Sequence, residues 1–220
     1  VFEGVEVCGK SFQSKKLFKK LKEHKFQTLL TREPGGTKSA ELIRNLILHD
    51  YFKKSKKDKF DKYTDTLLYL AARNEHVKTK IKPALQKKKI VICDRFIDST
   101  IAYQVYGKKI SKLFIDNIHS VILGGLKPNL TFLLKVSSKS SKKRLLKRKT
   151  KNRYDNFPQS FYKKAQNSFL KIAKNKKNYF ILDASKNDNS LEKKIFDITS
   201  KYLKKKCKFN YYFVPKKQKN

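Results

Sequence analysis

The segment Gly4-Val5-Glu6-Val7-Cys8-Gly9-Lys10-Ser11 follows the pattern G-x-x-x-x-G-K-[ST], and no other stretch restricts the possible folds so tightly. Each fixed position has a physical reason. Glycines let backbone amides turn inward around phosphate oxygens, and a helix opening at the end of the loop points its positive pole at them. Lys10 can reach the β- and γ-phosphates of a nucleotide, and the Ser11 hydroxyl can ligate Mg²⁺. Such a pattern also arises by chance, so the flanks decide. From Lys10 to about His24 the apolar residues Phe12, Leu17, Phe18 and Leu21 recur at helical spacing, so the loop does open a helix. A strand should precede it. Val1 to Glu3 are too few for one and the chain has no Met, so residues upstream of Val1 are expected.

Downstream, strand and helix patterns alternate. Thr28 to Thr31 reads as a short strand, followed by a Pro34-Gly35-Gly36 turn and a helix from about Thr37 to Leu48. The lysine-rich stretch 51–62 reads as a solvated connection. A long helix follows from about Thr64 to Gln86, with Pro83 near its end, where a missing amide is tolerable. Ile90 to Asp94 is an apolar run closed by a carboxylate, the pattern of a parallel strand covered on both faces. A helix over Ser111–Leu123 with Gly124 and Gly125 as caps precedes a strand over Leu130–Val136. Helices near 139–147 and 160–173, a strand over Tyr179–Asp183 and a helix over Ser190–Leu203 complete the series. This alternation predicts an α/β three-layer sandwich, a five-stranded parallel sheet with helices on both faces. Residues 1–203 form one domain in this reading, and 204–220 a frayed basic tail. A carboxylate at the C-terminal end of a buried strand lies beside the phosphate loop in such folds, which makes Asp94 a second candidate for holding Mg²⁺. An aspartate there also often just starts a turn, but Arg95 beside it suits a metal and a phosphate together.

Composition narrows the partners. No run of 18 apolar residues offers a membrane span, and no charged-then-apolar leader stands ahead of the first motif. Cys8, Cys93 and Cys207 are odd in number and far apart, which predicts free thiols in a reducing cytoplasm. A net charge of +37 attracts any polyanion, nucleic acid included. Yet the cations are nearly all Lys, spread over most predicted surfaces, whereas nucleic-acid domains concentrate charge, read base edges with Arg and interleave aromatics. Abundant Lys, Asn, Ile and Phe fit an AT-rich genome. Nucleic acid is therefore not required as a partner, and non-specific polyanion binding is the expectation. Where Lys is the default cation, each of Arg32, Arg44, Arg73, Arg95, Arg144, Arg148 and Arg153 marks a place that needs a planar fork on phosphate or carboxylate.

Three stretches are together far more specific than the loop alone. They are Phe2-Glu3-Gly4-Val5-Glu6, Thr31-Arg32-Glu33-Pro34-Gly35-Gly36-Thr37 and Asp94-Arg95-Phe96-Ile97-Asp98-Ser99-Thr100-Ile101-Ala102-Tyr103-Gln104. In order and spacing the chain resembles the bacterial thymidylate kinases, P-loop nucleoside monophosphate kinases, from Phe2 to about Leu203. The resemblance implies transfer of the ATP γ-phosphate to dTMP with Mg²⁺, for dTTP synthesis, in a cytoplasmic homodimer whose interface helices 111–123 and 64–86 can supply. It also implies roles. Gly4, Glu6, Val7, Cys8, Gly9, Lys10, Ser11 and Phe12 form the loop around ATP, with Ser11 and Asp94 at the metal. Glu6 approaches the sugar 3′-hydroxyl. Arg44 and Arg95 grip the dTMP phosphate, and Arg95 steadies charge during transfer together with Lys10. Tyr69 stands where the family has a Phe stacked on thymine. Arg73, Thr100 and Gln104 contact the base, Ser99 belongs to the same pocket, and Tyr103 packs against C2′. Pro34 matches a proline that follows a cis peptide bond.

Helical geometry supports part of this independently, since Tyr69 and Arg73 are i and i+4 and share one face. A core tyrosine beside a surface ion pair has the same spacing. Arg144 and Arg148 also share a helix face, with Arg153 in the loop beyond. The phosphate loop itself carries no Arg, so a lid over about residues 144–155 is expected to bring the catalytic cation, from Arg148 or Arg153. A solvated basic face is the alternative there. Two positions depart from the family: Val7 stands where Gly is usual, although β-branched residues resist positive φ, and Phe12 replaces the usual Thr after Ser11. His24, His49, His76 and His119 show no ligand spacing and read as structural or surface residues. Two rival functions stay open, a kinase of another nucleoside monophosphate and a basic nucleic-acid-binding protein on a decayed kinase fold.

Overall fold

The computed structural model describes residues 1–49, 59–147, 158–185 and 190–206, without the side chains of Gln159 and Lys206. Strands β1 (Phe2–Glu3), β2 (Thr28–Arg32), β3 (Ile90–Asp94), β4 (Thr131–Lys135) and β5 (Tyr179–Asp183) make one parallel sheet in the order β2-β3-β1-β4-β5. The α/β sandwich read from the alternation is therefore the observed fold. One expectation is corrected: Phe2 and Glu3 do form a strand. They sit at the centre of the sheet, with Phe2 opposite Asp94 on one side and Phe132 on the other. Partners on both flanks hold a strand that its own length could not.

The helices are α1 (Lys10–Glu23), α2 (Lys38–Leu48), α3 (Lys62–His76), α4 (Lys82–Gln86), α5 (Ile97–Thr100), α6 (Lys112–Leu123), α7 (Ser138–Leu146), α8 (Gln159–Ala173) and α9 (Ser190–Lys206). Their starts follow capping chemistry. The Thr37 hydroxyl accepts from Ala40 N–H, the Asp61 carboxylate from Tyr63 and Thr64 N–H, and Ser137 from Ser140 N–H. Gly124 ends α6 at φ 56, the left-handed cap expected of it. A widened π-helical segment, Val77–Ile81, joins α3 to α4. Pro83 has no N–H for the carbonyl four residues back, and a wider turn absorbs that defect. A second such segment, Ile101–Gly107, continues α5 and had no counterpart among the predicted helices. Helix α9 runs through Lys206, so the expected tail starts later than Leu203. Residues 207–220 lie outside the described residues.

Apolar burial is organised in two clusters. One gathers Leu17, Leu21, Phe132, Leu134, Phe169 and Ile195 with Phe2, and the other Leu70, Val77, Phe96, Ile101, Ile115 and Ile122. Because β1 is central, the chain leaves it toward β3 and β2 on one side and toward β4 and β5 on the other. The crevice at the carboxyl ends of the strands opens at that switch point, between the loops after β1 and β3.

Candidate active site

The loop after β1 turns where only glycine fits. Gly4 has φ 136, and a Cβ there would lie 2.5 Å from the Leu134 carbonyl oxygen. Gly9, at φ 97, is the residue on which α1 starts. Lys10 is buried with its Nζ donating to the Val5 carbonyl at 2.6 Å, inside the curve of the loop. Cys8 is fully buried with Sγ 3.5 Å from that Nζ, so its side chain serves the core. Val7 does adopt a positive φ, 52, despite its branched side chain.

Across from the loop, the Ser11 hydroxyl donates to Asp94 Oδ2, while the buried Asp94 Oδ1 has no hydrogen-bond partner. A hydroxyl and a half-used carboxylate, both oxygen donors, fit a small hard cation such as Mg²⁺. The triplet Glu33, His76 and Cys93 also lies close together, but Glu33 is already filled by the Arg73 guanidinium and by His76, so it reads as a packed network rather than a metal site.

A single cavity of about 510 Å³ joins the two halves. Glu6, Val7, Gly9, Lys10, Ser11 and Phe12 line one side, and Asp94 and Arg95 its floor. Pro34, Arg44, Tyr69, Arg73, Ser99, Thr100, Tyr103 and Gln104 line the rest with Arg32, Glu33, Leu48 and Arg144. Of the expected site residues among those described, Gly4 and Cys8 alone do not border it. Arg148 and Arg153 lie outside the described residues, as does the expected lid beyond Lys147.

Charge is arranged in three groups. Arg95, itself at φ 70, donates from Nη2 to Glu6 Oε1 at 2.8 Å and from Nη1 to the Gly4 carbonyl and Ser99 Oγ. Tyr103 gives its hydroxyl proton to Glu6 Oε2 at 2.6 Å. Burial opposes the Arg95 charge, yet Glu6, Tyr103 and Asp94 outweigh it and raise the guanidinium further above its ordinary range. Burial and the Glu6 carboxylate likewise push the Tyr103 phenol up. Ser99 in turn donates to Glu3 Oε2, and burial first, then Asp98, lift the Glu3 carboxyl to about 7.

The second group surrounds the Pro34 turn, whose Glu33–Pro34 bond is cis as the resemblance implies. Arg44 donates to the Pro34 carbonyl at 2.6 Å, and Arg32 holds both oxygens of Glu41. Burial and the nearby Arg32 lower the Arg44 pKa, although Glu41 lies 3.9 Å from its Nε and opposes the shift. The third group centres on Arg73, which is 3 % exposed. It is held by Glu33, Thr100, His119 and the Phe96 carbonyl. Burial opposes ionisation of Glu33, but Arg73 and His76 keep its carboxyl below the usual range. His76 donates from Nδ1 to Glu33 Oε1 at 3.0 Å and meets Thr31 Oγ1 through Nε2. Gln104, buried against this wall, has no partner for its amide Nε2.

Sequence reasoning missed Glu33, Glu41, His76 and His119 as supports of the site. Glu33 stands inside a recognised stretch and was within reach. The histidines gave no local signal, because their partners lie 43 to 46 residues away. Arg144 is bonded to the Ala184 carbonyl at 2.7 Å and to Val7 O at 3.4 Å, tying α7 to the phosphate loop.

A family model described as thymidylate kinase matches residues 2–195. A thymidylate kinase of Aster yellows witches'-broom phytoplasma is 44 % identical over 207 residues, spanning 92 % of this chain and 95 % of that one. One from Mycoplasma capricolum is 36 % identical over 206 residues, spanning 92 % and 94 %. Among solved structures, a thymidylate kinase of Ehrlichia chaffeensis superposes with a TM-score of 0.70 at 33 % identity, covering 90 % of this chain and 96 % of that one. A matching model across nearly the whole length and relatives well above 30 % identity agree with the geometry of the crevice: this chain belongs to the thymidylate kinase family.

Proposed function

We propose that the chain phosphorylates dTMP to dTDP with Mg·ATP, a step toward dTTP for DNA replication. One observation carries this reading: Arg44, Tyr69, Arg73 and Arg95 face the phosphate loop across one cavity. Two nucleotides can then meet end to end, each phosphate beside a cation.

Catalysis here is positioning and charge neutralisation, because a phosphate monoester oxygen attacks without a strong base. The amides of the loop from Gly4 to Phe12, together with Lys10, hold the donor phosphates. Ser11 and Asp94 would hold Mg²⁺, which when bound screens the charge between those phosphates. Arg95 and Arg44 grip the acceptor phosphate, and Arg95 stays bound as charge develops. Tyr69 stacks on thymine while Arg73, Thr100 and Gln104 meet its polar edge, and Ser99 holds Arg95 in place. Tyr103 packs against C2′. Glu6 accepts from Arg95 and Tyr103, and its remaining lone pairs leave room for a sugar hydroxyl. The lid expected over about residues 144–155, with Arg148 and Arg153, would close on ATP; beyond Lys147 it lies outside the described residues. Residues 1–203 act as one catalytic domain.

The chain is read as a cytoplasmic homodimer. No helix among the described residues is long and apolar enough to cross a membrane. Leu67 on α3 and Leu113 and Val121 on α6 expose apolar side chains on the helices expected at the interface. The test is ADP release from ATP with each nucleoside monophosphate in turn, with and without Arg95→Ala. dTMP should be the preferred acceptor, and the substitution should lower kcat by about a hundredfold or more. Equal turnover of another monophosphate, or an active alanine variant, would sink the reading.

A further inference from the structure

A guanidinium presents five N–H groups and no acceptor, and in Arg73 every nitrogen is engaged by the protein. Nε donates to Glu33 Oε2 at 2.7 Å, and Nη2 lies 2.7 Å from the same oxygen as an ion pair. Nη2 donates to the Phe96 carbonyl at 2.8 Å, with the Phe96 ring 5.4 Å from the guanidinium carbon. Nη1 donates to Thr100 Oγ1 at 2.8 Å and to His119 Nε2 at 2.7 Å. Because Arg73 can only donate, His119 accepts through Nε2 and carries its own proton on Nδ1.

These partners are not equivalent toward the cavity. Glu33 and Thr100 border it, whereas Phe96 and His119 do not. The N–H groups on Glu33 belong to a buried ion pair, and the one on Phe96 to a main-chain carbonyl. Thr100 offers a neutral hydroxyl, which can turn and become a donor itself. The N–H most readily ceded to a substrate carbonyl is therefore the Nη1 proton that points at Thr100.

We propose that His119 is a positioning residue of the base-reading wall: by taking the rear Nη1 proton it fixes the fork so that the front proton is presented to a nucleobase carbonyl. The inference rests on the reading of this cavity as the dTMP site. Without an acceptor behind it, the rear N–H is buried and unpaired, and the fork swings toward other oxygens. Recognition of an acceptor edge is then lost while the phosphate grip of Arg44 and Arg95 remains.

The experiment compares dTMP with 5-methyl-dCMP, which keeps the sugar, phosphate and methyl group but carries an amino group in place of the 4-carbonyl. In wild type, dTMP turnover is required first; its absence refutes the functional reading, not the role of His119. The ratio of kcat/KM for the two nucleotides is then measured in His119→Leu and His119→Gln. The leucine variant should lose about tenfold of that ratio, mainly through a higher KM for dTMP. The glutamine variant, whose amide oxygen reaches about as far as Nε2, should keep it within about twofold. His119→Phe serves where the leucine variant does not fold. An unchanged ratio in the apolar variants, or an equal loss in the glutamine variant, overturns the proposal.

Discussion

Val7 sits in the left-handed region at φ 52, where a β-branched residue is least at home. That conformation costs roughly 1–2 kcal/mol, and glycine would return about 0.5–1 kcal/mol of it as unfolded-state entropy. Val7→Gly is therefore expected to raise unfolding free energy by up to about 1 kcal/mol in a urea titration. Removing one side of the buried Glu33–Arg73 pair should do far more harm. Glu33→Gln leaves a guanidinium without its counter-charge and should lower stability by about 3–5 kcal/mol, visible as a lower urea midpoint at unchanged slope. His119 adds a pH signature. Burial first, then Arg73, hold its imidazole at about 3, with Glu33 and Asp116 as the opposing acidic groups. Between about pH 6.5 and 3 the unfolded chain binds a proton at this residue that the folded chain refuses, so stability rises with pH across that window. Each pH unit is worth about 1.4 kcal/mol. Relative to His119→Gln, wild type should lose about 1–2 kcal/mol between pH 6.5 and pH 5; parallel pH profiles would contradict this.

At the scale of elements, four of the five strands and most helices were legible, to within a few residues at their ends. Apolar runs such as Ile90–Cys93, closed by turn residues, state their burial in the local sequence. The exceptions have a common cause. Strand β1 exists because β3 and β4 lend it hydrogen-bond partners about 90 and 130 residues away, which a reading of Val1 to Glu3 cannot register. The helical turns over Ile97–Gly107 show no amphipathic stripe because Asp98 through Gln104 are all buried. In the site, arginines stood out against a lysine background, and Arg32, Arg44, Arg73, Arg95 and Arg144 all border one cavity. His76 and His119, which help aim them, were silent, since only the tertiary fold brings them close. The turn between β2 and α2 is one such tight junction. A Cβ on Gly36, at φ 95, would lie 2.6 Å from His76 Nε2 and 2.7 Å from Thr31 Oγ1. Gly36→Ala should cost about 2–4 kcal/mol through backbone strain and overpacking, measured by thermal unfolding, and should weaken dTMP turnover.

For the molecule as a whole, the charge of +37 opposes compaction through self-repulsion. Raising salt from about 0.05 to 0.5 M shortens the Debye length severalfold, so the melting temperature should climb by several degrees. Affinity for a random DNA duplex should fall steeply over the same range, as expected of counterion release without a dedicated site. A DNA affinity that resists salt would point to a shaped nucleic-acid surface instead. Arg73 has a last consequence, because the side chain assigned to thymine is also a keystone joining α3 to the turn after β2, to α5 with the residue before it, and to α6 through Glu33, Thr100, Phe96 and His119. Substrate preference and the integrity of the scaffold therefore share one side chain. A lineage cannot drift toward cytosine or a purine by small steps at this position, because each step first loosens four segments. New base preferences should emerge in laboratory evolution only from backgrounds already made more robust elsewhere.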